Sequence, residues 1–171
     1  MVNRHSSFVP GYYTMRRTDR EVKNRQDIDE IIQSCLVCHI GMSQDDRPYV
    51  LPFSFGYVDG RIYIHTAEDG AKIDHFTTNP DVAFCFESNV ALAASSEPPC
   101  KWSFKYQSVA GQGSIAEVTT QEERIRALET IVSHYGPSDH VFSAEDLKKL
   151  RVWRIEIQSI SGKSSLPKDA A

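Results

Sequence analysis

The sequence predicts a mainly β protein, an antiparallel barrel whose open ends are capped by short helices. Three observations predict it. Apolar and polar residues alternate through Leu36–Ser43, Tyr49–Gly56, Val82–Glu87 and Trp102–Val118, the period of a half-buried strand. Turn signals separate these runs, above all Gln44-Asp45-Asp46-Arg47-Pro48 and Asp59-Gly60. Strands and helices do not alternate regularly, which argues against a doubly wound parallel sheet, whereas a closed antiparallel sheet protects its own edges.

Taken in order, Ile28, Ile31, Ile32 and Cys35 recur at helical spacing and predict a helix over Asp27–Cys35. Thr18 and Glu21 have capping-box spacing, so helical structure is expected to begin earlier. The runs from Leu36, from Tyr49 and over Arg61–His65 predict a three-stranded meander. Pro52 within the second run marks an edge strand or an irregular stretch, because proline cannot donate a ladder hydrogen bond. A short helix follows Gly70, with Ile73 and Phe76 inward, and Asn79-Pro80 ends it. Val82, Phe84 and Phe86 face inward on the next strand, and the Ala-, Ser- and Pro-rich stretch Asn89–Cys100 is expected to be a long loop. The strand Trp102–Val118 carries a bulge or bend at Gly111 and Gly113. Thr119 or Thr120 caps a helix with the stripe Ile125, Leu128, Val132 and Tyr135, Ser143 opens a further short helix, and Val152–Gln158 is the last strand. The small, polar tail from Ser161 is expected to be mobile.

With 171 residues and neither a repeat nor a linker, the chain is expected to be a single domain, its first 14 residues and its tail peripheral. A formal net charge of −4 gives no attraction to nucleic acid or anionic lipid. No apolar run approaches the roughly 20 residues that span a bilayer. Residues 1–13 lack a signal-peptide pattern, so the expected location is the cytoplasm, with the four cysteines reduced.

Several motifs carry chemistry only on paper. Cys35-Leu36-Val37-Cys38-His39 matches the haem-attachment pattern C-x-x-C-H, but it straddles a helix end and a strand, and attachment normally needs export. Cys85 and Cys100 provide no second C-x-x-C pair, so no metal site is expected and the thiols read as buried and structural. Gly111-Gln112-Gly113 lies inside a strand, and Ser161-Gly162-Lys163-Ser164 lacks the rest of a P-loop.

Two segments are more telling. His65-Thr66-Ala67-Glu68-Asp69-Gly70-Ala71-Lys72 brings a hydroxyl, helix N-terminal N–H groups and a lysine into one region, which suits a phosphate. A polar loop with a surface lysine accounts for the same residues. Tyr49–Gly56, irregular at Pro52, leaves backbone groups free to pair with a planar heterocycle, or is simply an edge strand.

Together these residues resemble a family. Met15-Arg16-Arg17-Thr18-Asp19-Arg20-Glu21 is similar to the opening of nitroimidazole-resistance-type proteins in the pyridoxamine 5'-phosphate oxidase-like flavoproteins. Val37–Met42 with Tyr49–Tyr57 resembles their first hairpin, Ile62–Ala67 with Gly70 and Lys72 their phosphate segment, Tyr106–Gly113 their long central strand, and Ile160–Lys163 their tail. The resemblance implies an FMN-binding split β-barrel, a homodimer holding two FMN molecules at its interface. It implies the phosphate near His65, Thr66 and Lys72, and the flavin ring along Val50, Leu51, Pro52, Phe53 and Ser54. Ser108 and Trp153 would be further contacts, from either subunit. Phe53, Phe55, Trp102 and Trp153 offer apolar surface for the interface.

The chemistry implied is electron transfer from a nicotinamide donor to a small acceptor such as a nitro-compound. Ala71 stands where oxidases of the superfamily often carry an arginine, so oxidation of pyridoxamine phosphate itself is not expected. No acid–base residue is assigned, and His65 is the first to examine. Two other readings are a flavin binder without turnover, and a non-covalent haem binder with His39 or His65 as ligand.

Overall fold

The computed structural model describes residues 15–94 and 98–166. The expected N-terminal arm, the middle of the Asn89–Cys100 loop and the last five residues lie outside them. Eight strands form one antiparallel sheet: β1 (Glu21–Val22), β2 (Cys38–Gln44), β3 (Arg47–Phe53), β4 (Gly56–Val58), β5 (Arg61–Thr66), β6 (Asp81–Ala93), β7 (Ser103–Glu117) and β8 (Arg151–Ser164). Three helices cover it: α1 (Arg25–Ser34), α2 (Ala71–Thr78) and α3 (Gln121–Tyr135). The strand order is β3-β2-β6-β7-β8-β5-β4, with β1 paired to β8. The end strands β3 and β4 do not pair, so this is a split barrel.

Local chemistry explains most elements. Asn24, not Thr18, caps the first helix, accepting from the Gln26 N–H at 3.0 Å, while Thr18–Arg20 forms only a 3-10 turn. Ile28, Ile31, Ile32 and Cys35 are buried as their spacing requires. The β2–β3 hairpin turns on Asp45 and Asp46, both at positive φ, and the β4–β5 hairpin turns on Asp59 and Gly60 in the same way. Pro52 lies on an edge strand, as its missing N–H demands. The ladder between β7 and β8 shifts register between Gln112 and Gly113.

The expected meander is interrupted. β3 stops at Phe53, and β4 and β5 pair at the other end of the sheet. Gly56 explains the crossing, because a Cβ there would meet the α3 backbone at Ile131 N, 2.6 Å away. α3 therefore lies against the chain at the break. Tyr135 Oη accepts from the Phe55 N–H (3.0 Å) and donates to Leu36 O (2.9 Å), while a His134 ring nitrogen bonds Cys35 O at 2.7 Å.

Further differences concern burial and length. The buried face of α3 is Ala127, Leu128 and Ile131, rotated from the predicted stripe, and Tyr135 is exposed. Residues 144–149 form turns rather than a helix, held by Asp146 Oδ2 accepting from Ser143 N–H and hydroxyl. Residues 89–93, predicted as loop, extend β6 past a bulge, and with β7 they form a ribbon in which Leu92 pairs with Phe104. Ser161–Ser164, predicted as mobile, belong to β8 and pair with β7. Phe53, Phe55 and Trp153 are core residues, so of the four aromatics proposed for an interface only Trp102 is exposed. Cys35 and Cys38 are buried, Cys85 is half-buried and Cys100 exposed, and all four are free thiols. Among the described residues no helix is long and apolar enough to cross a membrane.

Candidate functional site

The predicted residues gather around α2. Its inner face packs on β3 through the rings of Phe76 and Phe53 (6.2 Å between centroids) and of His75 and Tyr49 (5.0 Å). On the other side, Phe76 meets Trp153 at 5.1 Å, and the Trp153 Nε1–H donates to Thr66 Oγ1 at 3.1 Å. The segment Val50–Ser54, at the end of β3, and Thr66, at the end of β5, are thus joined through two core aromatics. Phe53 is inward and nearly buried, Leu51 half-buried, and Val50, Pro52 and Ser54 face outward. β3 pairs with β2 only, so its far edge keeps backbone groups free.

At the start of α2, Gly70 has φ +129°, a backbone state that favours glycine, and no side chain caps the helix. Lys72 folds back over this end, its Nζ 3.5 Å from where a Gly70 Cβ would stand. Among the described residues no carboxylate lies within ion-pair distance of it. Thr66 is buried, and its hydroxyl donates to Ala67 O at 2.9 Å while accepting from Trp153, which leaves one lone pair. His65 stands at the surface, yet enough protein surrounds its ring to depress its pKa below the ordinary value. Glu68, Asp69 and Asp74 share this neighbourhood, so the cationic charge is local to Lys72.

Two predicted contacts are placed differently from the rest. Trp153 is buried beneath the site and acts on it by orienting Thr66. Ser108 pairs with Lys163, whereas Trp153 pairs with Glu117; Ser108 is therefore about 30 Å along β7 from that end, at ~3.3 Å per residue. One chain does not bring Ser108 to the α2 end. Sequence reasoning missed the outer face, where strand register aligns Val50, Gly41, Ala83, Gln112 and Ser159, then Pro52, His39, Cys85, Ala110 and Ser161. The signal was present in the small residues at the outward-facing positions. Among the described residues, no three His, Cys, Asp or Glu side chains gather as a metal site.

A sequence profile of pyridoxamine 5'-phosphate oxidase matches residues 24–164, which includes every strand but β1 and all three helices. The chain belongs to the pyridoxamine 5'-phosphate oxidase family. Among solved structures, it resembles a candidate 5-nitroimidazole antibiotic resistance protein from Bacteroides thetaiotaomicron, at 26% identity and a TM-score of 0.75, over 84% of this chain and 85% of that one. A flavocytochrome from Azotobacter vinelandii matches with a TM-score of 0.78 at 16% identity, over 91% of this chain and 73% of that one. A NimC/NimA family protein from Clostridium acetobutylicum matches with a TM-score of 0.57 at 18% identity, over 84% and 87%. The last two likenesses establish the fold alone. No curated protein sequence matches significantly. Family membership agrees with the split barrel and with the resemblance seen in the sequence, and the likeness to the Bacteroides protein is in keeping with its nitroimidazole-resistance type.

Proposed function

We propose that this family member is an FMN-binding oxidoreductase that passes electrons from a nicotinamide donor to a small acceptor such as a nitro-compound. The observation that carries the reading is the uncapped N-terminus of α2, with the Lys72 ammonium, which has no ion-pair partner among the described residues, folded over Gly70, joined through core aromatics to the edge segment Val50–Ser54. An FMN phosphate fits this end. The free N–H groups and the helix dipole favour an anion, Lys72 adds a point charge, and Thr66 offers its remaining lone pair to a protonated phosphate oxygen. The free edge of β3 can hydrogen-bond the polar edge of the flavin ring, and Val50 and Pro52 supply apolar contact for its face.

Bound flavin would supply the redox chemistry, carrying electrons between donor and acceptor. The chain's residues bind and orient: the packed pair Phe53 and Phe76 holds β3 against α2, and Trp153 fixes the Thr66 hydroxyl. His65, with its pKa depressed, is neutral at physiological pH and leaves the positive charge to Lys72. A homodimer is part of the proposal. The outer face offers small residues, which let a second sheet approach closely, and Ser108 would reach the cofactor of the other subunit.

The absorption spectrum of purified protein, followed by anaerobic NADH oxidation with and without a nitro-aromatic acceptor, tests the reading. Flavin bands and acceptor-dependent turnover are expected, whereas flavin without turnover would leave a binding protein. A sedimentation experiment showing a monomer that still holds FMN tightly would overturn the dimer. A haem reading has one observation in its favour, His39 exposed on the outer face beside Cys85, and a Soret band in the same spectrum would reveal it.

A further inference from the structure

The N-terminal basic motif finds an unexpected neighbour. Arg20 ends the 3-10 turn and directs Nη1 at the Tyr106 hydroxyl, 3.5 Å away on β7. Lys163 of β8 holds its ammonium 5.8 Å from the centroid of the same ring. Three separate segments thus converge, and all three residues are half-buried rather than extended into solvent. Tyr106 is fixed from behind, because its backbone N–H donates to Ser165 Oγ (2.8 Å) and its carbonyl accepts from the Ser165 N–H (2.9 Å).

Among the described residues neither cation has a close ion-pair partner, although Arg20 feels the charge of Asp19 at longer range. Arg17, in the same motif, is neutralised by two bonds to Asp19, at 2.8 and 2.7 Å. Glu21 is the register partner of Lys163, yet its carboxylate pairs with Lys23 at 3.9 Å. Among the described residues, neither Arg20 nor Lys163 has a carboxylate within 4.0 Å. Burial pushes the Tyr106 phenol up, but hydrogen bonding and charge from the two cations outweigh it and hold its pKa below the ordinary value. Two like charges beside one phenol repel each other, and an anion between them relieves the repulsion.

We propose that Arg20, Tyr106 and Lys163 form a second anion site, separate from the α2 end, that takes a phosphate of a dinucleotide. A guanidinium, an ammonium and a phenolic hydroxyl together supply the donors that phosphate oxygens accept. The site lies beside Ser108 on the outer face, since Ser108 and Lys163 are register partners. That the anion belongs to a dinucleotide rests on the flavin and nicotinamide reading above; the anion site itself does not. The phosphate can come from a dinucleotide flavin or from the nicotinamide donor.

The test is calorimetric titration of the full chain, freed of cofactor, with pyrophosphate, comparing wild type with Arg20→Gln, Lys163→Gln and the double variant. Each charge-assisted hydrogen bond is typically worth about tenfold or more in affinity, so the double variant should lose pyrophosphate binding by about 100-fold. Lys163→Arg should restore it, and thermal melts establish that each variant is folded. FMN affinity should stay within about twofold, by the same conversion. Weakened FAD binding with FMN unchanged assigns the phosphate to the flavin, and weakened NADH and NADPH binding with both flavins unchanged assigns it to the donor. Unchanged binding of pyrophosphate and all dinucleotides in the folded double variant overturns the site. A loss of FMN as large as that of FAD also overturns it, since the cations would then serve the FMN phosphate. If wild type binds no flavin but loses pyrophosphate on substitution, the site stands and the flavin reading falls.

Discussion

Replacing Lys72 by alanine removes a cation that lies over the uncapped end of α2. The ammonium stands 3.5 Å from the Cβ that Gly70 lacks, close enough to share a phosphate oxygen with the first N–H groups of the helix. A charge-assisted hydrogen bond is worth about 1.5–3 kcal/mol. Lys72 lies half-buried in the first turn of α2, and Glu68 and Asp69 precede it in the chain, so the lower part of that range applies. Lys72→Ala should weaken FMN binding by roughly tenfold. Riboflavin, which lacks the phosphate, should bind both proteins almost equally. Lys149→Ala makes the same charge change at an exposed position far along the sequence and serves as the control; Lys163 cannot, because it lies in a paired strand beside Tyr106. Titration by quenching of flavin fluorescence measures all three proteins. Equal losses for FMN and riboflavin would refute the reasoning and move the phosphate away from α2.

Gly56→Ala should destabilise the fold by about 1–3 kcal/mol or more, because its Cβ would press on α3 backbone atoms that cannot yield; a chemical denaturation midpoint unchanged from wild type would contradict this. Cys38→Ala removes a fully buried thiol and should lose about 1–2 kcal/mol by the same measurement while flavin content per folded molecule is retained. His65 has a folded-state pKa below its unfolded value, so its stabilisation is complete above about pH 6.5 and fades as pH falls towards the folded pKa. The melting temperature of wild type should therefore decline over that window more steeply than that of His65→Gln, and parallel profiles would exclude His65 as the cause.

Much of the fold was legible because period-two alternation and turn chemistry are local. Asp45-Asp46 and Asp59-Gly60 specify tight turns through positive φ, and Pro52 identifies an edge through a missing donor. The split itself was hidden. Alternation runs unbroken from Tyr49 through Phe55, which is buried like a strand residue although β3 has ended. What separates β3 from β4 is α3, whose contact at Gly56 is distant in sequence. The strand extensions were missed for a related reason. Ser161 and Ser164 look like a tail, but Gly162 is buried because it fits against Ile28 and Val22, and that requires the folded register. At the site, the segments were legible but not their division of labour. Thr66 and Trp153 appeared as two separate contacts, whereas one hydrogen bond makes the buried indole the support of the hydroxyl.

That division has a physical consequence for how such a site stays ordered. The groups proposed to meet a ligand are Val50, Pro52 and Ser54, exposed on and just past an edge strand, and Lys72, half-buried at a helix end, places where structure is least constrained. Each is one step from a buried ring. Phe53 ties β3 to Phe76, Phe76 lies against Trp153, and Trp153 is only 2% exposed. Because interiors are close-packed, a displacement of α2 large enough to move Lys72 must also disturb these aromatics and the hydrogen bond to Thr66. The apolar core therefore holds the edge strand and the proposed anion-binding end in a fixed relation. Removing the Phe76 ring would weaken both halves of the site together, whereas removing Lys72 affects only one.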